Sequence, residues 1–183
     1  MHEKTPAKDQ MAVLVGGRSG LAERGMARGH WRLRAYNEHG VLVAERDWEN
    51  LVTTVGKNHL LDVGFRAQSQ ATWYLGLTDG TPTVNVADTA ASHAGWTEVT
   101  AYDESARQAW TANAAASGAI DNSGSEAVFT ISTNSTTIGG AFMISSSTKG
   151  GTTGILYAVG PFSGGDLTLN DGSTLTLSST FSL

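Results

Sequence analysis

The residue types most suited to chemistry in this sequence are concentrated in one stretch, Ser92–Trp110. Its nineteen residues include one histidine, three carboxylates, one arginine and two tryptophans, in a chain that is otherwise poor in charge. Catalysis by a carboxylate pair needs two acids held a fixed distance apart across the reacting bond. Asp103 and Glu104 are adjacent, so a strand would point them to opposite faces and a turn would leave both in water. The spacing therefore favours a crowded structural corner over an active site.

An ion pair is the simplest use of the remaining charges in this stretch. Glu98 lies in a strand-like run between Trp96 and Val99, from which it can pair with Arg107. We predict a charged turn that closes a hairpin, with this ion pair at its edge. Trp96 and Trp110 flank the turn, and they are expected to be partly exposed or to pack in the core or between subunits. Trp96, Glu98, Arg107 and Trp110 are accordingly the candidate subunit-interface residues.

Other catalytic and metal-binding patterns are weak. Serines and aspartates are so abundant that a Ser-His-Asp arrangement around His93 is uninformative, and no Gly-x-Ser-x-Gly elbow occurs between a strand and a helix. The five histidines are scattered without an HExxH pattern, and there is no cysteine. A hydrolase using His93 and a calcium ion bound in the loop around "GGDLTLNDG" remain alternatives. The prediction is no catalytic residue, no metal ligand and no cofactor.

Charge is distributed unevenly along the chain. The net charge is -5, but residues 1–66 hold ten Lys and Arg against eight acids, and residues 67–183 hold two against nine. Binding nucleic acid needs a clustered basic face, which an acidic majority disfavours. No apolar run approaches the roughly 18 residues that cross a bilayer, and no signal-peptide pattern is present. We therefore expect neither nucleic acid nor a membrane as a partner.

The first thirty residues are predicted to form an extended arm rich in Gly and Arg. Glycine at five positions raises the entropic cost of regular structure there. The arm also carries a short apolar run and three arginines, which suit contact with a partner that has apolar and acidic groups. The candidate arm-contact residues are Met11, Val13, Leu14, Val15, Arg18, Arg24 and Arg28. An arm without function is the alternative.

Residues 31–183 are predicted to form a single β-rich domain. Alternation of apolar and polar residues predicts a hairpin over 31–48 and short strands over 72–183. Apolar residues at roughly helical spacing predict a helix over about 55–66, capped by Thr53 or Thr54. A short helical turn capped by Asp88 and a final hairpin over Asp166–Leu183 are also predicted. Beyond Ser117 about half of the residues are Ser, Thr or Gly, which suits strands with one wet face and tight turns. The predicted fold class is mainly β: an antiparallel β-sandwich or jelly-roll-like domain with one short helix and an extended N-terminal arm.

Four segments resemble the head decoration, or cement, proteins of tailed bacteriophages. They are "NLVTTVGKNHLLD", "WYLGLTDGTPTV", "DTAASHAGWTEVTAYDESARQAW" and "TTIGGAFMISSSTKGGTTGILYAVGPFSGGD". Together they extend the resemblance over most of residues 30–183. The resemblance implies a non-enzymatic protein, made in the host cytoplasm, that binds the outer surface of the virion capsid. It implies two partners, the major capsid protein and further copies of itself, often in a trimer.

Two further readings of the sequence stay open. A tail, fibre or baseplate component has similar β-rich sequences, and its tryptophans would bind host glycans through exposed rings. An enzyme would need a concave pocket that gathers His93 with two carboxylates. For a cement protein, our own inference is that Met11–Arg28 forms the clamp: the apolar run inserts into the shell and the arginines meet acidic capsid groups.

Overall fold

The computed structural model describes residues 27–183, which fold as eleven strands and one helix. The fold is mainly β and antiparallel, as the sequence predicts. The helix, α1, is Thr54–Phe65. The strands are β1 (Arg28–Tyr36), β2 (Leu42–Val52), β3 (Tyr74–Thr78), β4 (Gln108–Ala109), β5 (Ala119–Asp121), β6 (Ala127–Thr130), β7 (Thr136–Ile138), β8 (Gly140–Ile144), β9 (Leu156–Pro161), β10 (Leu167–Leu169) and β11 (Thr174–Ser182).

Nine of these strands belong to one sheet, in the order β4-β3-β8-β9-β2-β1-β11-β5, with β6 also paired to β11. β10 and β7 form a separate two-stranded sheet. Leu33 of β1 and Leu177 of β11 belong to the same buried cluster as Leu75 of β3 and Ile138 of β7. Since β3 lies far from β1 and β11 along the large sheet, that sheet must curl over a shared core, which the two-stranded sheet also contacts through β7. The arrangement buries one face of β1 and both faces of β8 and β9.

The β1–β2 hairpin follows the predicted alternation. Trp31, Leu33 and Ala35 are fully buried, and the residues between them are exposed. At the turn, the Asn37 side chain accepts hydrogen bonds from the backbone N–H of His39 and Val41. β1 begins at Arg28, so the last three residues of the segment predicted as an arm belong to this strand.

The helix begins one residue before the predicted start. Thr53 is the N-cap, since its hydroxyl oxygen accepts the N–H of Gly56 at 3.1 Å and the same hydroxyl donates to the carbonyl of Leu156. Gly56 lies so close to β9 that a Cβ there would be 2.6 Å from the carbonyl oxygen of Tyr157.

Within residues 27–183 no helix has the length and apolar character needed to span a bilayer.

Two local predictions beyond β3 are wrong. The final segment does not form a hairpin, because β10 pairs with β7 and β11 pairs with β1, β5 and β6. Asp88 does not cap a helical turn: one of its carboxylate oxygens accepts the N–H of Asn85 and the indole N–H of Trp96. For the final segment the partner strands are distant in sequence, whereas for Asp88 the partners are three and eight residues away.

Candidate functional site

The Ser92–Trp110 stretch runs along the edge of the large sheet. Its first part is tied to β3 by the bridge between Thr78 and Glu98 and by the hydrogen bond from the Val99 N–H to the carbonyl of Leu77. Its last part forms β4, which pairs with the start of β3. The stretch therefore leaves β3 and returns to it, so that residues 98 and 107 come together. This loop is the corner that the sequence predicts, although most of it is not strand.

Glu98 and Arg107 form the ion pair that the sequence predicts, but the pair is buried instead of lying at an edge. Nε of Arg107 donates to Oε1 of Glu98 at 2.9 Å, and Nη2 donates to Oε2 at 2.7 Å. The side chain of Arg107 is only 2% exposed and that of Glu98 only 8%. Two parallel bonds between a planar guanidinium and a carboxylate fix both distance and orientation.

The pair also holds the loop formed by residues 145–154. Arg107 donates further hydrogen bonds to the carbonyls of Ser146 at 3.0 Å and Gly151 at 2.8 Å. Oε2 of Glu98 accepts the N–H of Gly150 at 2.8 Å. These bonds use the polar groups that burial would otherwise leave without partners, and an unpartnered buried charge is costly. The ion pair thus links residues 98–107 to the loop through hydrogen bonds.

Lys149 links the same loop to residues 98–107 at a second point. Nζ of Lys149 donates to the carbonyls of Tyr102 and Glu104, both at 2.8 Å, and lies 4.1 Å from the centre of the Tyr102 ring. Burial, and next the charge of Glu98, raises the pKa of the Tyr102 hydroxyl well above its usual value. Lys149 and Arg107 are the two basic residues of the sequence beyond Arg66, and both hold this corner together.

A small cavity of about 200 Å³ lies beside the ion pair, lined in part by His93, Glu98, Arg107 and Ile144. His93 stacks on Trp96 with ring centres 3.9 Å apart, and its Nδ1 is 3.0 Å from the carbonyl oxygen of Trp96. Glu98 is the carboxylate on the cavity wall, and it is already bound to Arg107 and to the Gly150 N–H. Both oxygens of this carboxylate are therefore already engaged in hydrogen bonds within the chain.

The other two carboxylates of the stretch do not join the cavity. Glu104 accepts the N–H of Thr130 at 3.1 Å and 3.2 Å with its two oxygens, and Asp103 is exposed. The arrangement that an enzyme would need, His93 with two carboxylates in one pocket, is not formed by these residues. No group of three His, Asp or Glu side chains in residues 27–183 converges in a way that would hold a metal ion.

The candidate interface residues are mostly covered by their own chain. Trp96 is 7% exposed, packs on Phe142 and donates its indole N–H to Asp88. Glu98 and Arg107 are buried as described above. Trp110 is half-buried: its indole N–H donates to the hydroxyl of Ser179 at 2.8 Å, and its ring meets Phe181 edge to face. Of the four, Trp110 keeps the most surface for a subunit contact.

The candidate arm residues lie almost wholly outside the described part of the chain. Met11, Val13, Leu14, Val15, Arg18 and Arg24 precede residue 27, so the hypothesis about them stays a prediction. Arg28 is the first residue of β1, where it is exposed and pairs with Ser182 of β11. It therefore belongs to the β domain.

Two exposed apolar surfaces were not identified from the sequence. At the tip of the β1–β2 hairpin, Val41, Leu42 and Val43 are 57%, 49% and 52% exposed. The second is an apolar groove of about 240 Å³, defined here by Leu60, Ala119, Ile120, Tyr157, Phe181 and Leu183. The groove brings together four distant segments. Its one signal in the sequence is the excess of apolar residues in α1 beyond what one buried face needs.

Comparison with known proteins adds no identification. No protein-family model matches the chain, and no curated protein matches it at a significant level.

Proposed function

We propose that this protein is a non-enzymatic head decoration, or cement, protein of a tailed bacteriophage. In this role it binds the outer surface of the capsid and stabilises the shell by bridging major capsid subunits. A tail, fibre or baseplate protein that binds host glycans is the alternative.

The observation that carries the proposal is how the segments that resemble this family lie in space. The segment containing α1 packs on β9, β3 pairs with β8, and the loop after β8 is fastened to Arg107 of the Ser92–Trp110 stretch. Parts of all four resembling segments are therefore neighbours in one substructure. Strings that are scattered along the chain but adjacent in the fold support a shared architecture better than isolated matches do.

The internal use of the charged corner also supports a structural role. Glu98, Arg107 and Lys149 are engaged in hydrogen bonds that hold loops in place. Aromatic burial weighs against the glycan alternative, since Trp31, Trp48, Trp73 and Trp96 are each less than a tenth exposed. A sugar-binding site of the usual kind presents an aromatic face to solvent, and His93 covers one face of Trp96.

Shell stabilisation by such a protein follows from mass action. A protein that binds the assembled shell but not its separated subunits stabilises the assembly in proportion to the logarithm of its concentration over its dissociation constant. If three copies bind together, each contact raises the effective concentration for the next. In this proposal residues 11–15 insert apolar side chains into the shell, and Arg18 and Arg24 meet acidic capsid groups.

Co-sedimentation with undecorated phage heads, over a series of salt concentrations, tests the proposal. Saturable binding at a fixed ratio to capsid subunits is expected. Absence of binding to heads would contradict it, and binding to host-surface sugars in a glycan screen would favour the alternative.

The contribution of the arm is tested by two matched variants. Deleting residues 1–26 removes the arm without entering β1, and is expected to abolish shell binding while leaving the domain folded. The double variant Arg18→Gln/Arg24→Gln is expected to weaken binding and flatten its salt dependence. Arg32→Gln/Arg34→Gln removes the same charge from the exposed face of β1 and serves as the control. Equal effects of the two double variants would contradict a role for the arm.

Self-association is tested at Trp110. Trp110→Ala is expected to shift a trimer toward monomers at low concentration in sedimentation experiments. Ser179→Ala removes the hydrogen bond that Trp110 makes within its own chain but leaves the indole in place, so it controls for loss of internal packing. A folded Trp110→Ala variant that associates as tightly as Ser179→Ala would contradict an interface at this residue.

A further inference from the structure

The apolar groove defined above lies where the described chain begins. Arg28, the first residue of β1, pairs with Ser182, and Gly29 pairs with Phe181, so β1 enters the sheet beside the last residues of β11. Phe181, Ser182 and Leu183 line the groove. Chain that precedes residue 27 therefore starts at the mouth of the groove.

The groove presents apolar surface that its surroundings do not cover. Leu183 is 82% exposed and Leu60 is 37% exposed. On the same helix as Leu60, Leu61 and Phe65 are 57% and 86% exposed. Apolar surface concentrated in a concave site is a common feature of binding sites for apolar segments.

We propose that in the free protein this groove binds the apolar segment Met11–Val15 of the same chain. The sequence of this segment is Met-Ala-Val-Leu-Val, the densest apolar run before residue 27. Val15 lies twelve residues before Ala27. Twelve residues span up to about 40 Å when extended, and a glycine-rich chain of this length has a root-mean-square span of about 20 Å. The segment can therefore reach a groove that opens beside residue 27.

Attachment to the same chain favours this occupant over a second copy. A short flexible tether holds a segment at an effective concentration of about a millimolar near its target. A free second copy at micromolar concentration competes poorly with that. In this proposal the segment docks by burying its apolar side chains.

Docking has a consequence for any external partner of the arm. A segment held in the groove is not free to bind elsewhere, so its apparent affinity for a partner falls in proportion to the undocked fraction. This inference concerns the free protein and holds whether or not the partner is a phage capsid.

Disulfide trapping in the chain of 183 residues tests the proposal, because its sequence has no cysteine. Val13→Cys/Ala115→Cys places one thiol in the segment and one at an exposed residue on the groove wall. A disulfide within one chain is expected to form at least ten times faster in this variant than in Val13→Cys/Val43→Cys. The second thiol of that control is at the exposed hairpin tip, the length of β1 away and still within reach of the arm.

A polar version of the segment separates docking from mere proximity. Adding Leu14→Ser and Val15→Ser to the groove pair keeps the tether length but removes apolar side chains, and is expected to slow trapping at least tenfold. Leu60→Asp on the groove wall is expected to do the same. Trapping that is unchanged by the polar segment, or that joins only separate chains, would overturn the proposal. Both measurements use purified protein without phage heads, so their outcome is independent of the shell-binding experiment.

Discussion

Arg107 and Glu98 meet through two parallel hydrogen bonds of 2.9 Å and 2.7 Å in the interior of the protein. A buried ion pair of this kind stabilises a fold only when its remaining donors and acceptors also have partners. The carbonyls of Ser146 and Gly151 and the N–H of Gly150 supply them. The pair is therefore the point at which the charged corner and the loop of residues 145–154 are held together.

Breaking this pair from one side is expected to be costly. Arg107→Met leaves the Glu98 carboxylate buried without its counter-ion and should lower the free energy of unfolding by about 3–5 kcal/mol. Glu98→Leu/Arg107→Met removes both charges and should recover part of that loss. Arg32→Met breaks an exposed pair with Asp47 and should cost less than about 1 kcal/mol. Urea denaturation of the three variants is the measurement. Similar losses of unfolding free energy for Arg107→Met and Arg32→Met would contradict the stabilising role of the buried pair.

Thr53 is predicted to stabilise the start of α1 and its attachment to β9. Thr53→Ala removes both the acceptor for the Gly56 N–H and the donor to the carbonyl of Leu156, and should cost about 1–2 kcal/mol. Thr53→Ser keeps the hydroxyl and should recover most of this. Thr54→Ala, at the exposed first residue of the helix, is the control and should change stability little. Equal midpoints of thermal unfolding for the alanine variants at 53 and 54 would argue against the cap.

Two glycines of the same helix are predicted to respond in opposite directions to alanine. At Gly56 the added methyl would meet the backbone of Tyr157 at 2.6 Å, so Gly56→Ala should destabilise the protein by about 1–3 kcal/mol. At Gly64 nothing lies within 4 Å of the position of a Cβ, so Gly64→Ala should stabilise it by up to about 1 kcal/mol. Chemical denaturation measures both, and a loss of stability at Gly64 would contradict the packing described for α1.

Alkaline pH is predicted to weaken the fold through its buried tyrosines. Burial raises the pKa of Tyr157 to about 12 from its ordinary value of 10.0. Because the unfolded chain loses this proton first, the stabilising contribution is complete below pH 10 and is lost as the pH rises toward 12. Tyr157→Phe should reduce the fall in unfolding free energy over that range, whereas Tyr36→Phe, at a half-buried residue of β1, is the comparison. Denaturation at several alkaline pH values is the measurement, and identical pH profiles for wild type and Tyr157→Phe would contradict this assignment.

Local pattern was enough to predict several elements and one contact. The hairpin of β1 and β2 depends on residues close in sequence, so alternation identified it. The two threonines before the apolar run predicted the cap of α1 as Thr53 or Thr54, and the structure selects Thr53. The pairing of Glu98 with Arg107 was predicted because Glu98 lies in a strand-like run from which it can reach Arg107. Its burial was not predicted, because the groups that satisfy it come from residues about forty positions away.

The exposed and covered surfaces were harder to predict. For Trp96 the sequence left partial exposure and packing in the core or between subunits open, and in the structure it is covered by His93 and Phe142. The apolar groove is made by α1, by β5 and the residues just before it, by Tyr157 of β9 and by residues 181–183, which share no local pattern. Solvent exposure depends on what packs from outside a segment, and sequence periodicity reports only the segment itself.

The sequence by itself determined which face of each well-patterned strand is buried. Period-two alternation places Leu175 and Leu177 on one face whatever strand lies beside them, since successive side chains of a strand point in opposite directions. Only the tertiary structure decided which strands pair. The backbone hydrogen bonds of a strand are the same for any partner, so β10 could join β7 while β11 joined β1, β5 and β6. The packing of the shared core determines which strands pair. That pairing in turn determines where the Ser92–Trp110 corner and the groove lie.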